Sequence, residues 1–185
     1  MKHIEYEERV MISVNDYLKV IDDVKNEGVK FTTLLIENIY LDNDSSFIYN
    51  NKMMLRIRNI NKKDEELTLK IKKEDNTTLE INETRKHHPT IDKYLEGKLE
   101  DYKEVSHLVT YRIEVKYKDY LLVIDKNEYH GVTDYDIEVE ADSQEKALEV
   151  IQNYCLRYNL KYDPKYKSKS HRAISLSKKQ KDEVH

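Results

Sequence analysis

Strand after strand, this sequence divides its two faces between apolar residues on one side and charged residues on the other. A β-strand sends successive side chains to opposite faces. In "HIEYEER" this sets Ile4, Tyr6 and Glu8 on one side and Glu5, Glu7 and Arg9 on the other. The same division sets Leu55 and Ile57 against Arg56 and Arg58, and Leu67, Leu69 and Ile71 against Thr68, Lys70 and Lys72. Leu79 and Ile81 oppose Glu80 and Asn82, Tyr111, Ile113 and Val115 oppose Arg112, Glu114 and Lys116, and Ile137 and Val139 oppose Asp136, Glu138 and Glu140. An antiparallel sheet with one solvated side produces such alternation routinely. The like-charge doublets weigh against that reading, because Glu5 with Glu7, Arg56 with Arg58 and Glu138 with Glu140 each stand about 7 Å apart on one strand and repel unless a counter-ion or ligand lies between them. If the sheet closes into a barrel, the charged faces turn inward and the apolar faces outward, to be covered by helices.

Runs of this period lie near residues 3–12, 31–42, 52–60, 66–73, 77–84, 109–118, 120–126 and 134–141. The expected fold is α+β: an antiparallel sheet of about eight strands with helices packed outside, which as a closed antiparallel β-barrel would surround a charged tunnel. Residues 14–27 carry Tyr17, Val20, Ile21 and Val24 at helical spacing, with Ser13 and Asp16 as capping pair and Gly28 as terminator. Ala147, Val150, Ile151, Tyr154, Cys155 and Tyr158 repeat the pattern behind Ser143, which makes Cys155 a small core hydrophobe. "HPTIDKYLEGKLEDYKEVSHL" reads as a helical cover broken at Gly97, and residues 177–185 as a polar, frayed tail to a single domain of residues 1–176.

Charged residues make up 37% of the chain and its mean hydropathy is −0.86, values that fit disorder only where apolar residues lack period. Here they have it. Lys plus Arg total 32 against 36 for Asp plus Glu, so the net charge of −4 gives no global pull toward nucleic acid or an anionic membrane. One cysteine excludes an internal disulfide, and no apolar run is long enough for a bilayer or a secretory core. A cytoplasmic setting is expected. His87 and His88 are adjacent, have no carboxylate or cysteine at ligand spacing beside them, and read as surface residues. There is no Gly-rich phosphate loop, and the tyrosines suit strand packing better than base stacking.

The charged faces nevertheless suit one kind of ligand. Carboxylates at spacing two converge on a hard divalent cation, while guanidinium groups take phosphate oxygens bidentately and lysine adds a compact charge. Both sets together describe a polyphosphate with bound metal.

In this light the chain resembles the CYTH superfamily, the triphosphate tunnel metalloenzymes, and among them the short bacterial members. The resemblance rests on an ordered set over nearly the whole chain: "EYEER" for the Glu-x-Glu-x-Lys signature, then "YLD", "LRIR", "LTLK", "LE", "YRIEV", "VIDKNEY", "YDIEVE" and "KSKSHRA". It implies Mg2+ or Mn2+ held by Glu5, Glu7, Glu80, Asp125, Glu138 and Glu140, and a triphosphate held by Arg56, Arg58, Lys70, Arg112, Lys169 and Arg172. Glu5, Glu7, Arg9, Lys70 and Asp125 are the implied catalytic set. Arg9 departs from the signature lysine, keeping the charge but changing reach and geometry. The implied activity is metal-dependent hydrolysis of a terminal phosphoanhydride bond, inorganic triphosphate being the first choice of substrate. Thiamine and nucleoside triphosphates, a cyclase of the same fold making cyclic AMP from ATP, and a non-catalytic polyphosphate or nucleotide binder are the alternatives. A small-molecule triphosphate is the expected partner, with no nucleic acid or membrane, and a homodimer is left open.

Overall fold

The alternation of faces organises the chain as read above. A computed structural model describes residues 2–63, 65–73 and 78–183, with the side chains of residues 2–5, 181 and 182 outside that description. Its strands are β1 (Lys2–Ile12), β2 (Phe31–Asp42), β3 (Met53–Ile60), β4 (Glu65–Lys72), β5 (Thr78–Thr84), β6 (Lys103–Lys116), β7 (Tyr120–Tyr129) and β8 (Val132–Ala141). The helices are α1 (Val14–Asn26), α2 (Phe47–Asn50), α3 (Gln144–Tyr158) and α4 (Lys169–Asp182). The strand order β1-β5-β4-β3-β2-β6-β7-β8 closes on itself, so the fold is the expected α+β class with an antiparallel barrel. Among the described residues no helix is long and apolar enough to cross a membrane.

Two compact units make up the chain, one of Met1–Ile4, Ile36–Val109 and Ser168–His185, the other of Glu5–Leu35 and Thr110–Lys167. Each has its own apolar core. In the first, Leu55, Ile57, Leu67, Leu69 and Ile81 from one face of β3, β4 and β5 pack with Ile48, Ile91 and Tyr102. Registers such as Leu55↔Leu69 and Leu69↔Ile81 keep these side chains on a common face, and a slip of one residue would exchange them for Arg56, Thr68 and Glu80. In the second unit Val10, Val115, Leu122, Ile124, Ile137 and Val139 pack against Val20 and Val24 of α1 and Val150, Ile151, Tyr154, Cys155 and Tyr158 of α3. The helical stripes and the buried Cys155 are as the spacing predicts, and burial pushes the Cys155 thiol pKa up.

The capping chemistry also follows the sequence. The Ser13 hydroxyl accepts from Asp16 N at 3.1 Å, Ser143 does the same for Lys146 N at 3.2 Å, and α1 ends before Gly28 at φ +67°. His130 and Gly131, both at positive φ, form the two-residue turn between Tyr129 and Val132, which lets β7 and β8 pair beyond the lengths read from the sequence.

Two expectations are corrected. The stretch from 88 to 108 is not helical: it holds two single turns of 3-10 helix, Ile91–Tyr94 and Leu99–Asp101, and from Lys103 it is already β6. Its apolar residues recur every three to four positions, yet Ile91 and Tyr102 reach the first unit's core as separate anchors, and the Tyr102 hydroxyl clamps the chain by bonding both N and O of Glu96. Gly97 at φ +83° permits the sharp bend, since a Cβ there would meet Asp101 Oδ2 at 2.7 Å, the oxygen that accepts from Lys98 N. The second correction concerns the tail. α4 continues through residues 177–182 expected to fray, because Ala173 and Ser177 share one buried face and Ser177 Oγ donates to Val105 O of β6 at 2.7 Å.

Glu83 fastens the cover. Its carboxylate accepts from Thr90 N at 3.0 and 3.1 Å and from Ile91 N at 2.9 Å. Burial alone would raise its pKa, but these bonds outweigh burial and lower it from 4.5. A depressed carboxyl pKa contributes stability that is present above the unfolded value and lost as pH falls through the folded one. Glu83→Gln is therefore expected to unfold about 1 kcal/mol more easily at neutral pH, with the difference shrinking in urea titrations repeated at progressively lower pH below 4.5.

Candidate active site

The polar faces of the two units carry opposite chemistry. In the first, Tyr40↔Arg56 and Arg56↔Thr68 are directly paired across β2, β3 and β4, so the three side chains share a face. Arg56 is 5% exposed, and its Nε and Nη2 are buried without a hydrogen-bond partner, as is the Tyr40 hydroxyl. Arg58 Nε donates to Asn38 Oδ1 at 3.2 Å, and Lys70 Nζ meets Glu80 Oε2 at 2.8 Å. Burial raises the Tyr40 pKa against the opposing field of Arg56, Lys169, Arg58 and Lys70, so the hydroxyl stays protonated with four cations around it. Lys169 comes from the first turn of α4, whose start Ser168 caps by accepting from His171 N at 3.3 Å. Buried donors that lack partners are costly. Such donors are chemically suited to an oxyanion.

In the second unit the polar face is acidic. Two groups of carboxylates, Glu7 with Glu138 and Glu140, and Asp125 with Asp136 and Glu138, each bring one oxygen per residue within 4.8 Å of the others. Registers explain this: Glu7↔Glu140 and Arg9↔Glu138 between β1 and β8, Asp125↔Asp136 and Val123↔Glu138 between β7 and β8. Arg112 holds the buried Asp125 through Nε–H to Oδ1 at 2.9 Å and Nη2–H to Oδ2 at 2.8 Å, and reaches Glu138 Oε2 at 3.4 Å. Arg9 pairs with Glu7 and stands 3.6 Å from Glu138 Oε1. Burial would lower the pKa of both arginines, but the neighbouring carboxylates outweigh it, Glu7, Glu138, Asp136 and Glu8 for Arg9 and Asp125, Glu138 and Glu140 for Arg112. Both remain charged. Asn127 accepts from Thr110 at 2.8 Å and donates to Asp136 at 3.0 Å and Asp134 at 3.1 Å, which orients the second carboxylate group. An all-carboxylate donor set of this kind fits a hard divalent cation such as Mg2+ or Mn2+.

Of the residues named from the sequence, Arg56, Arg58, Lys70 and Lys169 gather around Tyr40, and Glu7, Glu138 and Glu140 come together. Asp125 joins Glu138 through Arg112 as well as through proximity, whereas Arg112 itself sits among carboxylates in place of the phosphate-binding cations with which it was grouped. Glu80 belongs to neither carboxylate group among the described residues; it meets Lys70 and accepts from Asn82 Nδ2 at 2.6 Å. Arg172 lies half-buried in the first turn of α4, and the Glu5 side chain lies outside the described residues. Tyr40 and Asp136 were not singled out. Asp136 has the parity of Glu138 and Glu140, so the alternation already marks it, while Tyr40 stands in the resemblance only as the first residue of "YLD", with no role attached.

This architecture places the chain in a known class. The CYTH domain family model matches residues 3–173, and the chain belongs to that family. Solved structures share the fold at low identity. A Bacillus halodurans protein described as a candidate adenylate cyclase is 22% identical with a TM-score of 0.74, covering 92% of this chain and 97% of its own. A candidate adenylyl cyclase from Hippeastrum, described as having a dominant triphosphatase activity, is 17% identical with a TM-score of 0.68, covering 97% of this chain and 96% of its own. A Pyrococcus horikoshii protein is 22% identical with a TM-score of 0.64, covering 94% of this chain and 99% of its own. No curated protein sequence matches.

The Arg112–Asp125 pair sets a testable cost. Asp125→Ala removes both short bonds of a buried guanidinium that keeps Glu138 at 3.4 Å, and is expected to destabilise the fold by about 3 kcal/mol, whereas Arg112→Met with Asp125→Leu recovers part of that loss, Glu138 then lacking its guanidinium. Equal destabilisation of the single and double variants in chemical denaturation would refute the pairing.

Proposed function

We propose that the chain is a divalent-metal-dependent triphosphatase that hydrolyses a terminal phosphoanhydride bond, with inorganic triphosphate as first substrate. The observation that carries the reading is the buried Arg56–Tyr40 pair, with donors lacking partners among four cations on one polar face. Phosphoryl transfer needs chiefly position and charge compensation. Arg56 and the Tyr40 hydroxyl donate to phosphate oxygens, while Arg58, Lys70 and Lys169 offset the remaining charge. Glu7, Glu138 and Glu140 are the residues that would hold the metal, with Glu5 added by family resemblance. A bound divalent cation supplies Lewis-acid polarisation of phosphate oxygens. Arg112 is assigned a positioning role, holding Asp125 and Glu138 in place. Divalent-metal dependence is a property of the family, and the triphosphatase activity described for the Hippeastrum protein supports the choice. The Bacillus halodurans description favours a second reading, an adenylate cyclase, which differs in product.

Phosphate release from inorganic triphosphate is expected with Mn2+ or Mg2+ and not with a chelator. Glu138→Gln should lower the rate roughly 100-fold or more, and Arg56→Gln should raise KM about 10-fold or more. Equal release by wild type and Glu138→Gln would overturn the metal-dependent hydrolase. With ATP, pyrophosphate and cyclic AMP in place of ADP and phosphate would identify the cyclase.

A further inference from the structure

We propose that Arg9 is a tethered competitor for the divalent cation, occupying the carboxylates that receive the metal and yielding them on loading. This rests on the reading of Glu7, Glu138 and Glu140 as metal ligands. Arg9 lies directly across β1 and β8 from Glu138, and Glu7 directly across from Glu140. The Arg9 Nη2 contacts Glu7 Oε1 and lies 3.6 Å from Glu138 Oε1, while Arg112 takes Glu138 Oε2 at 3.4 Å. Each oxygen of Glu138 therefore faces a different guanidinium. A cation that takes Glu7 and Glu138 competes with these guanidinium groups for the same two carboxylates.

The geometry selects Arg9 as the one that moves. Arg112 is fixed by two short bonds to Asp125, whose side chain is fully buried. Arg9 reaches Glu138 only at long range, and its Nη1 is buried without a hydrogen-bond partner, so its position is incompletely satisfied. Its charge is not lost in the exchange, because a guanidinium stays protonated in proteins. Occupancy by an internal cation lowers the apparent affinity for an external one in proportion to the competent fraction. A lysine, the residue of the family signature at this position, differs from arginine in reach and geometry and would compete less.

Mn2+ binding measured by calorimetry without any phosphate compound tests this directly. Arg9→Gln should bind Mn2+ about 10-fold tighter than wild type, a gain of about 1.4 kcal/mol, with Arg9→Lys between the two. Without metal, Arg9→Gln should melt below wild type, and saturating Mn2+ should narrow the gap. Lys146→Gln, which removes a cation paired with Glu149 on α3, should leave the affinity unchanged. If wild type binds Mn2+, Glu138→Gln does not, and Arg9→Gln binds no tighter than wild type, the competitor role is refuted while the metal site stands. If Arg9→Gln fails to fold, an Arg9→Lys affinity equal to wild type refutes it as well. Failure of wild type and both Arg9 variants to bind Mn2+ would overturn both readings.

Discussion

A charge taken out of water must find another charge, and this constraint governs the polar faces of the fold. Asp125, Asp136 and Glu138 are almost completely buried, and carboxylates so placed repel one another strongly at reduced dielectric. Arg112 makes the arrangement tolerable by bonding Asp125 through two nitrogens and reaching Glu138 with one of them. Arg9, on β1 beside β8, contacts Glu7 with Nη2 and stands 3.6 Å from Glu138. The pairing is incomplete. On this unit's polar face the carboxylates outnumber the guanidinium groups, and the residual negative charge suits a cation. In the other unit the balance is reversed around Tyr40, where Glu80 offsets Lys70 but Arg56 keeps donors without partners. Each face is thus left short of the kind of ion it would bind.

The apolar faces make that deficit affordable. A sheet with charge on one side obtains its packing energy from the other side alone, so every strand must keep register and every apolar face must be covered. In the second unit α1 and α3 supply the cover with regular amphipathic stripes. In the first, an irregular stretch does the work through Ile91 and Tyr102, pinned by Glu83 at one end and by the Gly97 bend further along. Buried apolar side chains contribute roughly 1.5–3 kcal/mol each, enough for a core of this size to offset several unsatisfied polar groups at 1–3 kcal/mol apiece. The cost of preorganising an ion site is therefore carried by residues on the opposite face.

That division also decides what could be read from the sequence. Period-two alternation survives any tertiary context in which one face is buried, so the strands, their parity and the charged doublets were visible, and parity assigned Arg56, Lys70, Glu138 and Glu140 to the polar face. The cover at 88–108 reads as a helix because period alone cannot separate a helix from isolated anchors separated by turns, and β6 begins at Lys103, between Tyr102 and Val105, which sit at helical spacing. α4 as a whole is not legible as a helix, since its interface uses Ala173 and Ser177, residues too small to form an apolar stripe. Tyr40 acquires its character only from cross-strand partners. A hydroxyl facing Arg56 is a fact of register, and register between β2 and β3 is not written in either strand alone.

Arginine at position 9 shows how one local choice couples these levels. Lysine would bring a compact ammonium of different reach, whereas the Arg9 guanidinium sets one nitrogen, Nη2, beside Glu7 and Glu138 together. Such bridging lowers the electrostatic cost of holding acidic β1 and β8 side by side. The same bridging opposes any other cation that seeks those oxygens. Stability of the ion-free fold and readiness to accept an ion are therefore opposed at this residue, because a single set of carboxylate lone pairs serves both.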